Sequence, residues 1–179
     1  MTSDLHRADD LAPAEALRRA AADAVAALTA AGCPPDGLGA YEPPRRRLFG
    51  TRLARIIRVG SGWRLGVLVV ASDGAVFSGG STLRAHVPPP VKGYTADSAR
   101  ERDELRHCAI RGGFAEGETV HWALEPVVAD AVGASTSPLA LRDGRLVVRW
   151  APRAPITGAP SLEAYLAERA GLLAATAAP

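Results

Sequence analysis

Apolar residues recur with helical spacing near the two ends of the chain and with strand-like alternation between them. Near the N-terminus the apolar positions fall three or four residues apart, which predicts a helix over residues 13–31. These positions are Leu17, Ala21, Ala24, Val25 and Leu28. A second stripe of this kind predicts a last helix that begins at Ser161, whose side chain can accept a hydrogen bond from a first-turn amide.

Three segments between the first two predicted helices have the composition of strands, namely residues 51–59, 63–71 and 75–87. Residues 63–71 are apolar on both faces, which predicts a central strand that is covered on both sides. Asp73-Gly74 predicts a tight hairpin turn, because both residue types tolerate the positive φ that such turns need. Gly79-Gly80 predicts a bulge in the return strand. Residues 33–44, with prolines at both ends, are predicted to be a connecting loop.

The second half of the chain is also predicted to contain both helices and strands. Residues 99–111 are predicted to form a helix with a capping box at Ser98 and Glu101, ended by two glycines. A strand follows over 119–124 and a short helical turn over 127–132. A hairpin is predicted to join 139–142 to 145–150. The order of elements predicts the α+β class, with a largely antiparallel sheet of five to six strands and helices packed on it.

Length and composition favour one globular domain over residues 12–179, preceded by a disordered N-terminus over residues 1–11. Cys33 and Cys108 are too few for a disulfide framework, and no secretory signal is apparent. The longest apolar run, residues 67–71, is too short to cross a bilayer. We therefore expect a cytoplasmic protein without membrane contact. The sequence does not specify an oligomeric state.

The charge pattern is dominated by arginine. Lys92 is the one lysine, and the chain contains no Asn or Gln. Arginine suits carboxylate or phosphate binding, but a GC-rich genome gives the same bias. The net charge of +2 is too small to indicate a nucleic-acid partner. The basic stretch that opens with Arg45-Arg46-Arg47 is interpreted as a charged edge strand that discourages sheet-to-sheet association.

Five polar side chains are candidates for binding a small anionic ligand. Four of them alternate with apolar neighbours on predicted strands, and Arg102 lies near the inner face of the second predicted helix. If the strands share one sheet, the four can converge on one surface. Each also has a simpler interpretation as the polar side of a half-exposed sheet. The candidates are Arg84, His86, Arg102, His121 and Arg149.

Most enzyme signatures are absent, including the phosphate loop, the dinucleotide fingerprint and the nucleophile elbow. The four histidines lack the paired spacing of a zinc site, so we expect neither a metal nor a cofactor. The leading hypothesis is a non-catalytic domain that binds a small anion or a protein partner. The alanine-rich first helix is a possible surface for such a partner. The alternative is a small hydrolase of the amidase type that pairs a histidine with Glu101 or Glu116.

Three segments carry a resemblance that covers most of the chain: Gly62-Trp-Arg-Leu-Gly-Val-Leu-Val-Val, Gly93-Tyr-Thr-Ala-Asp-Ser, and Arg111-Gly-Gly-Phe-Ala-Glu-Gly-Glu. In these segments the chain resembles a set of short, uncharacterised proteins from high-GC Gram-positive bacteria, some of which carry the label glutaminase. Serine-dependent glutaminases use a Ser-x-x-Lys motif. Here Pro89 precedes Lys92 by three positions, so no catalytic residue is carried over from that label.

Overall fold

The computed structural model describes residues 12–48, 50–88, 97–128, 137–151 and 153–177. Within them, runs of strands lie between three helices in an α+β arrangement, which confirms the predicted class. The elements are α1 (Pro13–Ala30), β1 (Asp36–Glu42), β2 (Arg45–Arg47), β3 (Gly50–Arg52), β4 (Arg55–Leu65), β5 (Leu68–Ala71), β6 (Val76–Arg84), α2 (Asp97–Arg111), β7 (Thr119–Pro126), β8 (Leu139–Arg142), β9 (Arg145–Val148) and α3 (Leu162–Ala177).

The main sheet is mixed and has the strand order β1-β4-β5-β6-β7. It closes on itself because β1 also pairs with β7, in parallel, with Leu38 opposite His121. The β1–β4 and β5–β6 pairs are antiparallel, as predicted for most of the sheet. Two separate hairpins, β2–β3 and β8–β9, each form a two-stranded antiparallel sheet.

The predicted strand over 63–71 is wrong, because a turn divides it into the end of β4 and the start of β5. Gly66 adopts a φ of 64°, and the Tyr165 hydroxyl accepts a hydrogen bond of 3.0 Å from the Val67 N–H. A Cβ at Gly66 would lie only 2.1 Å from the Tyr165 hydroxyl oxygen. A side chain 98 residues away therefore interrupts a run that the local pattern made continuous.

Three other local predictions also differ from the structure. The loop predicted over 33–44 contains β1, whose glycines concealed its strand character. Helix α2 includes Asp97, so Ser98 lies inside the helix and the predicted capping box is wrong. Val127 and Val128 belong to neither helix nor strand, and the rest of the predicted turn lies outside the described residues, as does the predicted disordered segment 1–11.

The chain divides into two compact units. Unit 1 draws its described residues from Met1–Pro34, Arg64–Ser78 and Pro126–Pro179, and unit 2 from Pro35–Trp63 and Gly79–Glu125. In unit 1, α1 packs against α3, β5 and β9, and α3 also contacts β9. No helix in the described part of the chain is long and apolar enough to span a bilayer. The single domain expected over 12–179 stays a prediction.

The core of unit 2 forms where the inner face of α2 meets the sheet. Its buried members are Ile56, Ala85, Cys108, Ala109, Phe114 and Val120. Gly112, directly after α2, makes the close approach possible, because a Cβ there would lie 1.6 Å from the carbonyl oxygen of Ile56. Only a residue without a side chain fits between the helix end and β4.

We expect Gly112→Ala to lower the free energy of unfolding by roughly 2–3 kcal/mol, because the new methyl group collides with backbone that cannot move cheaply. Gly171→Ala is the matched control. That glycine lies within α3 with no neighbouring atom within 4 Å of its Cβ position, so alanine should stabilise the protein by about 0.5–1 kcal/mol. Urea unfolding of both variants measures the two effects, and equal effects would contradict the close approach.

Candidate functional site

A buried histidine lies at the centre of the candidate site in unit 2. His121, on β7, is 2% exposed, whereas its neighbour Val120 points into the core on the other side of the strand. The His121 Nε2 atom lies 3.0 Å from Oδ2 of Asp36, and Nδ1 lies 2.8 Å from Oγ1 of Thr82. Asp36 begins β1 and Thr82 lies near the end of β6, so three strands supply the three side chains.

The partners of His121 determine where its proton lies in the neutral ring. An ionised carboxylate can only accept hydrogen bonds, so Nε2 carries the proton and donates a hydrogen bond to Asp36. Nδ1 then carries the lone pair and accepts the hydrogen bond that the Thr82 hydroxyl donates. The result is a hydroxyl directed at a base whose orientation is fixed by a carboxylate. This is the general arrangement of an activated nucleophile.

Exposure differs among the three members of this triad, Asp36, His121 and Thr82. The imidazole is almost completely shielded from solvent, whereas the Asp36 side chain is 41% exposed. The Thr82 residue is exposed to solvent. A molecule in solution can therefore reach Thr82, while the base bonded to its hydroxyl lies in an environment of reduced dielectric. Interactions with a developing charge are stronger there than in water.

A second carboxylate borders the triad on the side of Asp36. Glu118 bonds to the Arg58 guanidinium and accepts a hydrogen bond of 3.0 Å from the Ala115 N–H, and Arg58 stacks 4.4 Å above the Phe114 ring. Burial raises the pKa of Glu118, but the bonds from Arg58 and Ala115 outweigh it and the net pKa lies below its ordinary value. The negative charge of Asp36 opposes this lowering, which places the two carboxylates within electrostatic reach.

A second histidine–carboxylate pair lies on the surface of unit 2. The Nδ1 atom of His86 contacts Glu116, and the Val87 N–H donates to the other oxygen of the same carboxylate at 3.0 Å. The bond with His86 makes the largest contribution to lowering the pKa of Glu116, and the bond from Val87 lowers it further. The pairing of a histidine with Glu116 was one expectation of the hydrolase hypothesis. The other carboxylate named there, Glu101, is exposed on α2.

The three predicted arginines lie in different environments. Arg84 is exposed at the end of β6, and Arg102 is exposed on α2. Arg149, directly after β9, belongs to unit 1, where its guanidinium donates to the carbonyl oxygen of Ser137 at 3.5 Å. The four other candidates belong to unit 2. Convergence of all five on one anion stays a prediction, whereas contacts with carboxylates are found at both histidines.

His121 was predicted from the sequence as a site residue, whereas Asp36 and Thr82 were not. Asp36 falls in the segment predicted as a loop, and Thr82 follows the two glycines of the predicted bulge. Their separations from His121 along the chain are 85 and 39 residues, so no local motif connects them. The parallel pairing of β1 with β7, which brings Asp36 to the imidazole, has no local sequence signal.

The buried cysteine of unit 2 has the wrong chemistry for a nucleophile. Burial raises the pKa of the Cys108 thiol despite the nearby Arg111 guanidinium, which keeps the sulfur protonated at neutral pH. Arg111 itself bonds to Glu104 and donates from Nε to the carbonyl oxygen of Ala54 at 2.8 Å. The contact with Ala54 attaches the last turn of α2 to the residue directly before β4, which is a structural role.

Within the residues that the structure describes, no group of three or more histidine, cysteine, aspartate or glutamate side chains is arranged to hold a metal ion. Comparison with known proteins adds no assignment, since no family model, curated protein or solved structure matches this chain. The candidate site is therefore defined by its geometry alone.

We expect Glu118→Gln to destabilise the protein by about 1 kcal/mol at pH 7, because it removes a charged partner of Arg58. The pKa of Glu118 is lower in the folded state, so its contribution is fully present above the unfolded pKa of about 4.3 and is lost as pH falls through the folded pKa. The wild-type and variant stabilities should therefore converge at acid pH. Urea unfolding at pH 7 and pH 3 measures this convergence.

Glu125→Gln is the matched control for Glu118→Gln, since Glu125 is an exposed carboxylate on the same strand, β7. It should change stability by no more than about 0.5 kcal/mol at either pH. A Glu118→Gln protein as stable as the wild type at pH 7 would show that the contact with Arg58 contributes nothing.

Proposed function

We propose that unit 2 is a small hydrolase that cleaves an ester or amide bond through the triad. Thr82 is the nucleophile, His121 the general base and Asp36 the group that orients the base. The observation that carries the proposal is that a hydroxyl and a carboxylate bind opposite nitrogens of one buried imidazole, at 2.8 and 3.0 Å. Nucleophile, base and orienting group are then in hydrogen-bond contact before any substrate arrives.

The proposed reaction has two steps. The Thr82 oxygen attacks the carbonyl carbon of the substrate while its proton passes to Nδ1 of His121, and the new imidazolium is stabilised by Asp36. The tetrahedral intermediate collapses with cleavage of the bond to the leaving group, which takes the proton from Nδ1. A water molecule, deprotonated by the same nitrogen, then attacks the acyl-threonine. Release of the acid returns the proton to Thr82.

The leading hypothesis of a bound anion receives less support from the same residues. His86 and His121 each contact a carboxylate, and Arg58 is bound to another. An anion near these groups would meet the negative charge of the carboxylates that they already contact. Exposed Arg84 and Arg102 remain available to a weaker anion site, which we retain as the second candidate.

The hypothesis of a partner bound to the alanine stripe of the first helix is also less favoured. Ala20, Ala21 and Ala24 are buried, and α1 packs against α3 within unit 1. The small side chains thus serve a contact inside the chain. We retain the cytoplasm as the proposed location, because Cys33 and Cys108 are both buried and neither is in a disulfide, as is usual in a reducing compartment.

We expect a fluorophosphonate probe to phosphonylate Thr82, with release of fluoride, because such probes react with hydroxyls activated by a neighbouring base. Peptide mass spectrometry should place the adduct on Thr82. Thr82→Ala should abolish the adduct at this position. His121→Asn and Asp36→Asn should slow labelling, by about a hundredfold or more for the base.

Two further variants serve as controls in the labelling experiment. Thr51→Ala removes an exposed threonine on β3, outside the triad, and should label at the wild-type rate. Thr82→Ser keeps the hydroxyl and should retain labelling, which separates a chemical role from a packing role. Circular dichroism checks that each variant is folded. An unlabelled wild-type protein, or an adduct that forms equally fast in folded His121→Asn, would overturn the proposal.

A further inference from the structure

An open cleft lies within unit 1, where α1 faces the start of β9 and the start of α3. Its volume is about 340 Å³, which falls in the range of sites for small molecules. The α1 side contributes Ala16 and Ala20, whose short side chains leave room for a ligand. This cleft involves none of the residues of the proposed triad.

The α1 wall carries two opposite charges one helical turn apart. Arg19 and Asp23 both line the cleft. Four residues is a spacing at which opposite charges on a helix can pair with each other. Yet neither side chain makes a hydrogen bond or ion pair with any of the residues that the structure describes. The adjacent Arg18 does pair, with Glu15, on the same helix.

The opposite wall repeats this combination of charges. Arg145 begins β9, directly after a turn in which Asp143 and Gly144 have φ values of 52° and 77°. Glu163 lies in the first turn of α3, next to Ser161, whose Oγ accepts a hydrogen bond of 3.2 Å from the Ala164 N–H. Arg145, Ser161 and Glu163 all line the cleft. Each wall thus presents one guanidinium and one carboxylate.

We propose that this cleft binds a small zwitterion the length of a dipeptide. Guanidinium groups bind a carboxylate through paired hydrogen bonds, and carboxylates bind an ammonium group. Four helical residues advance about 6 Å, and an extended dipeptide spans at most about 7 Å, so its two charged ends can reach Arg19 and Asp23 together. A ligand that carries only a carboxylate would offer no charged partner to Asp23 and Glu163. A ligand that carries only an ammonium group would offer none to the two arginines.

Isothermal titration calorimetry with L-alanyl-L-alanine tests the proposal directly. Two blocked forms are the comparison ligands: N-acetyl-L-alanyl-L-alanine lacks the ammonium group, and L-alanyl-L-alaninamide lacks the carboxylate. Each should bind at least about tenfold more weakly than the zwitterion, because a charged hydrogen bond is lost. Absence of binding by the zwitterion, or equal binding of all three compounds, would overturn the proposal.

Variants on α1 assign each end of the ligand. Arg19→Ala should weaken zwitterion binding and remove the preference over the amide, whereas Asp23→Ala should remove the preference over the acetylated form. Arg18→Ala is the matched control, since Arg18 is exposed and does not line the cleft. All three residues are exposed, so the variants should fold as the wild type does, which thermal unfolding verifies. Binding unchanged in both Arg19→Ala and Asp23→Ala would overturn the assignment.

Discussion

The parallel pairing of β1 with β7 is the contact on which the organisation of unit 2 depends. It closes the main sheet and places Leu38 opposite His121. Two glycines of β1 leave room for the core beside this pairing, because a Cβ at Gly37 would lie 2.5 Å from the Phe114 ring and one at Gly39 would lie 2.4 Å from Ile56. The absence of side chains at these two positions therefore allows the core under α2 to pack directly against the backbone of β1.

The same pairing creates a chemical requirement and meets it. Closing the sheet buries the imidazole of His121, and a buried polar group without partners costs free energy. Asp36 lies on the neighbouring strand, two residues before Leu38, and bonds to one ring nitrogen. Thr82 bonds to the other. Because the imidazole of His121 accepts the hydrogen bond from Thr82, the same arrangement polarises the Thr82 hydroxyl. The stability of the sheet and the proposed chemistry thus rest on the same two hydrogen bonds.

Local signals predicted the parts of the fold that local geometry determines. The first helix, the last helix and the hairpins at Asp73-Gly74 and Asp143-Gly144 follow from periodicity and turn chemistry. Strand β1 was not predicted because its glycines and the prolines on either side of it are typical of a loop. Gly37 and Gly39 are explained by close contacts with side chains that are distant in the sequence. Part of the site was predictable for the same reason. His121 could be selected as a polar residue between apolar neighbours on its strand, whereas its partners are brought to it by pairing between strands that are far apart in sequence.

The turn at Gly66, which splits an apolar run, has a consequence for how the chain is made. The segment from Leu65 to Ala71 is uncharged, proline-free and rich in branched side chains, the composition of segments that associate into intermolecular sheets. Tyr165 holds its turn, and that residue belongs to α3, the last element of the described chain. During vectorial synthesis the segment leaves the ribosome long before Tyr165 does. The nascent chain is therefore most susceptible to aggregation in that interval.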